Sequence, residues 1–74
     1  MRTETTQYEC SHGRTPKGYG MWALVATGTD GQGSYTSETY FITGNFGEAR
    51  KQAAKRLKQD CGAVKTVTEI EVLP

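Results

Sequence analysis

Residues 45–62, with the sequence NFGEARKQAAKRLKQDCG, give the clearest structural signal in this chain of 74 amino acids. Asn45 is a residue type favoured at a helix N-cap, and Glu48, three positions later, has the spacing of a capping box. Gly62 suits the left-handed conformation that often follows a last helical turn. Between these ends, apolar residues at spacings of three and four form one stripe: Phe46, Ala49, Ala53, Leu57 and Cys61. The segment therefore predicts an amphipathic helix over residues 46–61.

Strand patterns precede this helix. Residues 21–27 are the most apolar stretch, and their alternation places Trp22, Leu24 and Ala26 on one face, with Trp22 expected in the core. The dipeptide Asp30-Gly31 is a hairpin signal, because glycine tolerates the positive φ of such turns. Residues 35–43 then return as a strand rich in aromatic and β-branched residues.

Two further strands are predicted nearer the chain termini. Residues 3–10 are rich in Thr and Tyr, with Tyr8 and Cys10 on one face, and residues 63–73 alternate with Val64, Ile70 and Val72 on one side. Glycines and a proline interrupt residues 11–20, which are expected to form a loop. The predicted fold is a single α+β binding domain spanning residues 1–74, with the order β-β-β-α-β. One antiparallel sheet carries a single helix packed on one face.

Bulk composition limits the possible functions. The hydrophobic fraction is 35%, the charged fraction is 23% and the net charge is +1. No run approaches 18 apolar residues, and the first residues lack the apolar core of a secretory signal. We therefore expect a cytoplasmic protein without a membrane partner. Its two cysteines, Cys10 and Cys61, are expected to be reduced thiols; a bridge would require the first strand and the helix end to meet.

Two groups of cationic residues are candidate binding sites. The loop SHGRTPKGYG at residues 11–20 contains His12, Arg14, Lys17 and Tyr19 among glycines, and such a loop can approach a phosphate closely. On a helical wheel, Lys51, Lys55 and Lys58 fall in one narrow sector away from the apolar stripe, while Arg50 and Arg56 flank that stripe. The alternatives are a solvated hairpin connection and an ordinary charged helix surface.

Catalysis and metal binding have little support in the sequence. Cys10, His12 and Cys61 amount to three ligands and lack the paired Cys-x-x-Cys spacing of structural zinc sites. No phosphate-binding loop, dinucleotide-binding fingerprint or His-Glu-x-x-His motif occurs. We therefore predict a non-enzymatic protein without a cofactor.

Two resemblances suggest partners. Residues 43–57, TGNFGEARKQAAKRL, preceded by three strands, resemble the strand-to-helix junction of double-stranded RNA-binding domains and are similar to the arm-binding domains of phage integrases. In the RNA-binding family, lysines of the first helical turn hold phosphates; Arg50 and Lys51 match that pattern, whereas Phe46 and Gly47 replace two of the lysines. The family's N-terminal helix is not predicted here.

The second resemblance spans most of the chain. The motif HGRxPxGxGxW at residues 12–22, with Gly47-Glu48-Ala49 and the ending Val72-Leu73-Pro74, resembles small uncharacterised proteins carried on plasmids and phages. This likeness implies a mobile-element accessory protein. We consider three hypotheses. The first is nucleic-acid binding through the basic loop and helix face. The second is a protein-binding inhibitor or adaptor that acts on a host protein such as a defence enzyme, and the third is a homodimer formed by edge strands.

Overall fold

The computed structural model describes all 74 residues, with four strands and two helices in the order β-α-β-β-α-β. The elements are β1 (Arg2–Glu4), α1 (Thr6–His12), β2 (Tyr19–Thr29), β3 (Tyr35–Asn45), α2 (Phe46–Asp60) and β4 (Thr66–Val72). The predicted α+β class is confirmed. The predicted order is wrong at the first element, since a second helix is present.

The sheet has the strand order β1-β4-β2-β3. β2 pairs antiparallel with both β3 and β4, whereas β1 pairs parallel with β4. The prediction of one antiparallel sheet is therefore wrong for β1, and the sheet is mixed. Because β1 and β4 lie at opposite ends of the chain, no local turn indicates how they pair.

The predicted strand over residues 3–10 is mostly helix α1. Gly13 adopts the left-handed conformation, with φ 72°, and its N–H donates to the carbonyl of Glu9, which ends the helix. The Glu4 side chain accepts the Thr6 N–H at 3.1 Å and so satisfies a free donor at the helix start. Tyr8 is buried against Trp22, so tertiary packing overrides the strand preference of Thr and Tyr. Cys10 does not share this buried face, since it is exposed.

The loop prediction for residues 11–20 holds only for its centre, because α1 extends to His12 and β2 begins at Tyr19. The hairpin at Asp30-Gly31 is confirmed. The Asp30 carboxylate accepts the backbone N–H groups of Gln32 and Ser34, and these bonds lower its pKa. Gly31, at φ 82°, takes the positive φ that the turn needs.

α2 forms with the predicted buried stripe of Ala49, Ala53 and Leu57. Asn45 is its N-cap, and the side chain accepts the Gly47 N–H at 3.1 Å. The reciprocal bond of a capping box is absent, because Glu48 is exposed and makes no such bond. Gly62 does not adopt a left-handed conformation; the helix ends through extended Cys61, whose N–H donates to the Leu57 carbonyl.

Both helices cover the same face of the sheet. The core joins alternate residues of β2 and β3 with the buried faces of α1, α2 and β4: Tyr8, Trp22, Leu24, Ala26, Tyr40, Ile42, Ala49, Ala53, Leu57, Val64, Val67, Ile70 and Val72. The predicted burial of Trp22, Leu24 and Ala26 is confirmed, and Val67 joins the core because the pairing register shifts between Thr27 and Gly28. The opposite face, here called the open face, has no element packed on it.

Candidate nucleic-acid interface

The three lysines predicted on the helix lie on the solvent side of α2. Lys51, Lys55 and Lys58 are exposed, and none of their side chains makes a hydrogen bond or an ion pair. The two ion pairs of the protein both involve Arg2, with Glu4 and Glu69. We call the three residues the lysine face. Their ammonium groups are therefore available to an external anion.

A groove of about 410 Å³ lies beside the lysine face, between α2 and β4. It is lined by Met1, Ala54, Lys55, Lys58, Thr66 and Val67. Two of the three lysines thus line a concave surface together with the apolar side chains of Met1, Ala54 and Val67.

The two arginines of α2, which flank the apolar stripe, contact other side chains of the fold. The Arg50 guanidinium donates to the Thr3 hydroxyl at 2.6 Å and lies 5.6 Å from the Phe46 ring centroid. The Arg56 guanidinium stacks over the Tyr40 ring at 4.8 Å. These contacts tie α2 to β1 on one side and to β3 on the other. The arginines therefore position the helix, whereas the lysines remain free.

The fold itself explains several residues of the HGRxPxGxGxW motif. His12 stacks on Tyr8 with ring centroids 4.1 Å apart, and Pro16 is buried. Gly18 has φ 76°, and its carbonyl accepts the N–H of Phe46 at the start of α2. Trp22 donates from Nε1 to the Gly44 carbonyl at 2.9 Å. These residues fasten the loop to α2 and β3.

Arg14, Lys17 and Tyr19 have no such structural role. All three are exposed, and none of their side chains makes a hydrogen bond or ion pair. Because Gly18 bonds the first residue of α2, the loop that carries Arg14 and Lys17 meets the N-terminal end of the helix that carries the lysine face. His12, which the sequence analysis grouped with them, has its ring stacked on Tyr8. Binding by all seven predicted residues stays a prediction.

Tyr19 belongs to a group that the sequence analysis did not identify. Tyr19, Met21 and Phe41 are 80%, 86% and 79% exposed on the open face, and we call them the open-face patch. Met21 faces Thr43 across the β2–β3 ladder and Phe41 faces Ala23, so Met21 and Phe41 are diagonal neighbours. The alternation of β3 contained the signal: if Tyr40 and Ile42 point to the core, Phe41 points away from it.

Charge is unevenly distributed between α2 and the rest of the chain. α2 has five cations and two carboxylates, a net charge of +3, while the rest of the chain has four cations and six carboxylates, a net charge of −2. Three of those carboxylates, Glu4, Glu69 and Glu71, alternate with core-facing residues of β1 and β4 and so lie on the open face. The overall charge of +1 conceals a basic helix side and an acidic region of the open face.

Other candidate chemistry is not assembled by the fold. Cys10 and Cys61 are free thiols, and no cluster of three or more His, Cys, Asp or Glu side chains is placed to hold a metal ion. Burial, followed by a hydrogen bond to Asp60 at 2.8 Å, raises the pKa of Tyr40 to about 12. This tyrosine joins β3 to the last turn of α2 and is not part of an exposed site.

Neither helix has the length and apolar composition needed to cross a lipid bilayer. Comparisons with protein-family models, curated proteins and solved structures give no match for this chain.

Proposed function

We propose that this protein is a non-enzymatic nucleic-acid-binding protein whose lysine face contacts phosphates. The observation that carries the proposal is the state of Lys51, Lys55 and Lys58: three exposed cations on one sector of a helix of net charge +3, without an internal carboxylate partner. Like charges at these spacings repel one another, and an anionic partner removes that repulsion. An accessory role on a mobile element accompanies this proposal and rests on the motif at residues 12–22.

The spacing of the lysines suits a phosphate backbone. Lys51 and Lys58 are seven residues apart, which is about 10 Å along a helix axis. This length matches the rise of about three base-pair steps of a duplex. Arg14 and Lys17 lie in the loop that meets the start of α2, so they would extend the basic surface beyond the helix. Contacts of this type position a nucleic acid without reading its sequence.

The proposal predicts a defined salt dependence. Three lysine–phosphate contacts on duplex DNA give a slope of about −2.7 in log K against log salt, so raising the salt from about 50 to 200 mM weakens binding roughly 40-fold. Fluorescence anisotropy with a labelled duplex, repeated over several salt concentrations, measures this slope. A wild-type protein that binds neither duplex DNA nor duplex RNA at about 50 mM salt would falsify the proposal.

A matched pair of variants assigns the contact to the lysine face. Lys55→Gln should reduce the magnitude of the slope by about 0.9, because one phosphate contact is lost. Lys65→Gln removes the same charge from an exposed residue outside α2 and should leave the slope unchanged. Equal effects of the two variants would mean that net charge alone, rather than the helix face, determines binding.

The open-face patch favours a second candidate, a protein-binding inhibitor or adaptor that acts on a host protein. Three large side chains exposed together on an uncovered sheet are typical of a protein contact surface. In nuclease-treated lysate of host cells, the wild type and the Lys55→Gln variant should retain one dominant protein, and Met21→Lys should lose it. Retention of that protein by Met21→Lys would contradict a role for the patch.

A further inference from the structure

The two edges of the sheet differ in length and in charge. β1 has three residues, two of which are the charged Arg2 and Glu4. β3 has eleven residues, YTSETYFITGN, and Glu38 is its sole charge. β3 contains no proline and no lysine, and its pairing with β2 has no bulge. β1 therefore has the short length and the charges that normally prevent an edge strand from pairing with another chain, whereas β3 has only the single charge of Glu38.

Hydrogen bonds next to the strands show which peptide groups face this edge. The Phe46 N–H donates to the Gly18 carbonyl, and the Asp30 N–H donates to the Ser34 carbonyl. Both bonds join even-numbered residues, and both continue the pairing of β2 with β3. In an antiparallel pair, the N–H and C=O of successive residues point alternately to the two sides. Even-numbered residues of β3 therefore bond β2, and the odd-numbered ones direct their N–H and C=O outward: Tyr35, Ser37, Thr39, Phe41 and Thr43. The Leu73 N–H donates to Ala23, an odd-numbered residue of β2, which independently confirms the alternation from the β4 side.

We infer that β3 pairs with β3 of a second copy of this chain, antiparallel and around a twofold axis at Tyr40. This register overlaps residues 35–45 completely and joins Thr39 to Phe41 of the other copy through the free edge groups. It opposes Glu38 to Ile42 rather than to the other Glu38, which avoids a like-charge pair. A second copy presents the same uncharged row of donors and acceptors, so the interface is complementary to itself and closes at two chains.

The open-face patch extends to this axis. In the proposed register the two Phe41 rings are diagonal neighbours on the open face, about 7–8 Å apart at the backbone and within aromatic reach. Each ring is 79% exposed in the single chain, which is roughly 150 Å² of apolar surface. Contact between the two rings would add apolar burial at the axis to the main-chain pairing of the eleven-residue edges.

Molecular mass in solution tests the dimer. Sedimentation equilibrium under reducing conditions, which removes any disulfide through exposed Cys10, should give twice the 8.1 kDa chain mass for the wild type. Thr39→Lys should be a monomer, because a lysine on the edge opposes pairing. Gln7→Lys, which adds the same charge to an exposed residue of α1, should remain a dimer. A monomeric wild type, or a Thr39→Lys dimer, overturns the inference.

Amide exchange provides a test on the wild type that does not depend on a variant folding. In the dimer, the N–H groups of Thr39, Phe41 and Thr43 should exchange as slowly as those of Tyr40 and Ile42, since both sides of β3 are bonded. In a single chain the odd-numbered amides would exchange freely while the even-numbered ones stayed protected. That alternating pattern, measured on the wild type alone, overturns the inference. It would do so even if an added foreign peptide then bound to the β3 edge.

Discussion

At the scale of single residues, Gly28 is the glycine with the least room for a side chain. A methyl group added there would lie 2.5 Å from Cγ1 of Val64 and 3.0 Å from the Thr66 carbonyl oxygen. We expect Gly28→Ala to lower the free energy of unfolding by about 1–3 kcal/mol, as overpacking commonly does. Urea denaturation followed by circular dichroism measures the change.

Gly62→Ala is the control for this prediction. An added methyl group at Gly62 meets nothing within 4 Å, and the residue has no positive φ. Its free energy of unfolding should stay equal to that of the wild type or rise by up to about 1 kcal/mol. Equal losses of stability in the two alanine variants would contradict crowding as the cause of the effect at Gly28.

Within single elements, the sequence predicted the periodic features but only part of the ends of α2, since the Glu48 bond and the left-handed Gly62 are absent. The stripe of α2, the Asn45 cap and the alternation of β2 all follow from side-chain spacing, and all are present. α1 was missed because its stability depends on Tyr8 packing against Trp22, a residue fourteen positions away. The lysine face was visible on a helical wheel, whereas its freedom from ion pairs depends on where the carboxylates lie in three dimensions.

The bond between Tyr40 of β3 and Asp60 of α2 predicts a pH dependence. Because the folded pKa of Tyr40 is raised to about 12 from an ordinary value near 10, the neutral phenol stabilises the native state below pH 10. That stability is lost as the pH rises from about 10 to 12, since the unfolded chain releases the proton first.

Comparison with Tyr40→Phe isolates this effect. The variant should be about 1 kcal/mol less stable at neutral pH, and this deficit should shrink as the pH approaches 12 because phenylalanine has no proton to release. Urea unfolding of both proteins at a series of pH values gives the difference, in which the titration of the other tyrosines cancels. A constant deficit from pH 8 to pH 12 would be inconsistent with a raised pKa at Tyr40.

Across the whole molecule, charge is separated more strongly than the net value suggests. The parallel pairing of β1 with β4 brings Glu4 beside Glu71 and Arg2 beside Glu69, while the cations of α2 lie on the other side of the sheet. The sequence alone gives only the net charge of +1. The separation of charge by face cannot be seen in it, because it depends on pairing between β1 and β4, which lie about 60 residues apart in the chain. Near a polyanion, a molecule with this charge distribution turns its helix side toward the polyanion.

The central position of β4 also affects how the chain is made. β4 follows the other three strands in the chain, yet it lies between β1 and β2 and bonds both of them. Until β4 emerges from the ribosome, the nascent chain has a β2–β3 hairpin and a helix, but β2 has no strand on its other side. β1 has no partner at all at that stage. Cooperative folding of this domain is therefore expected only after β4 has been translated, and a ribosome paused before residue 66 should display a chain that proteases still cut.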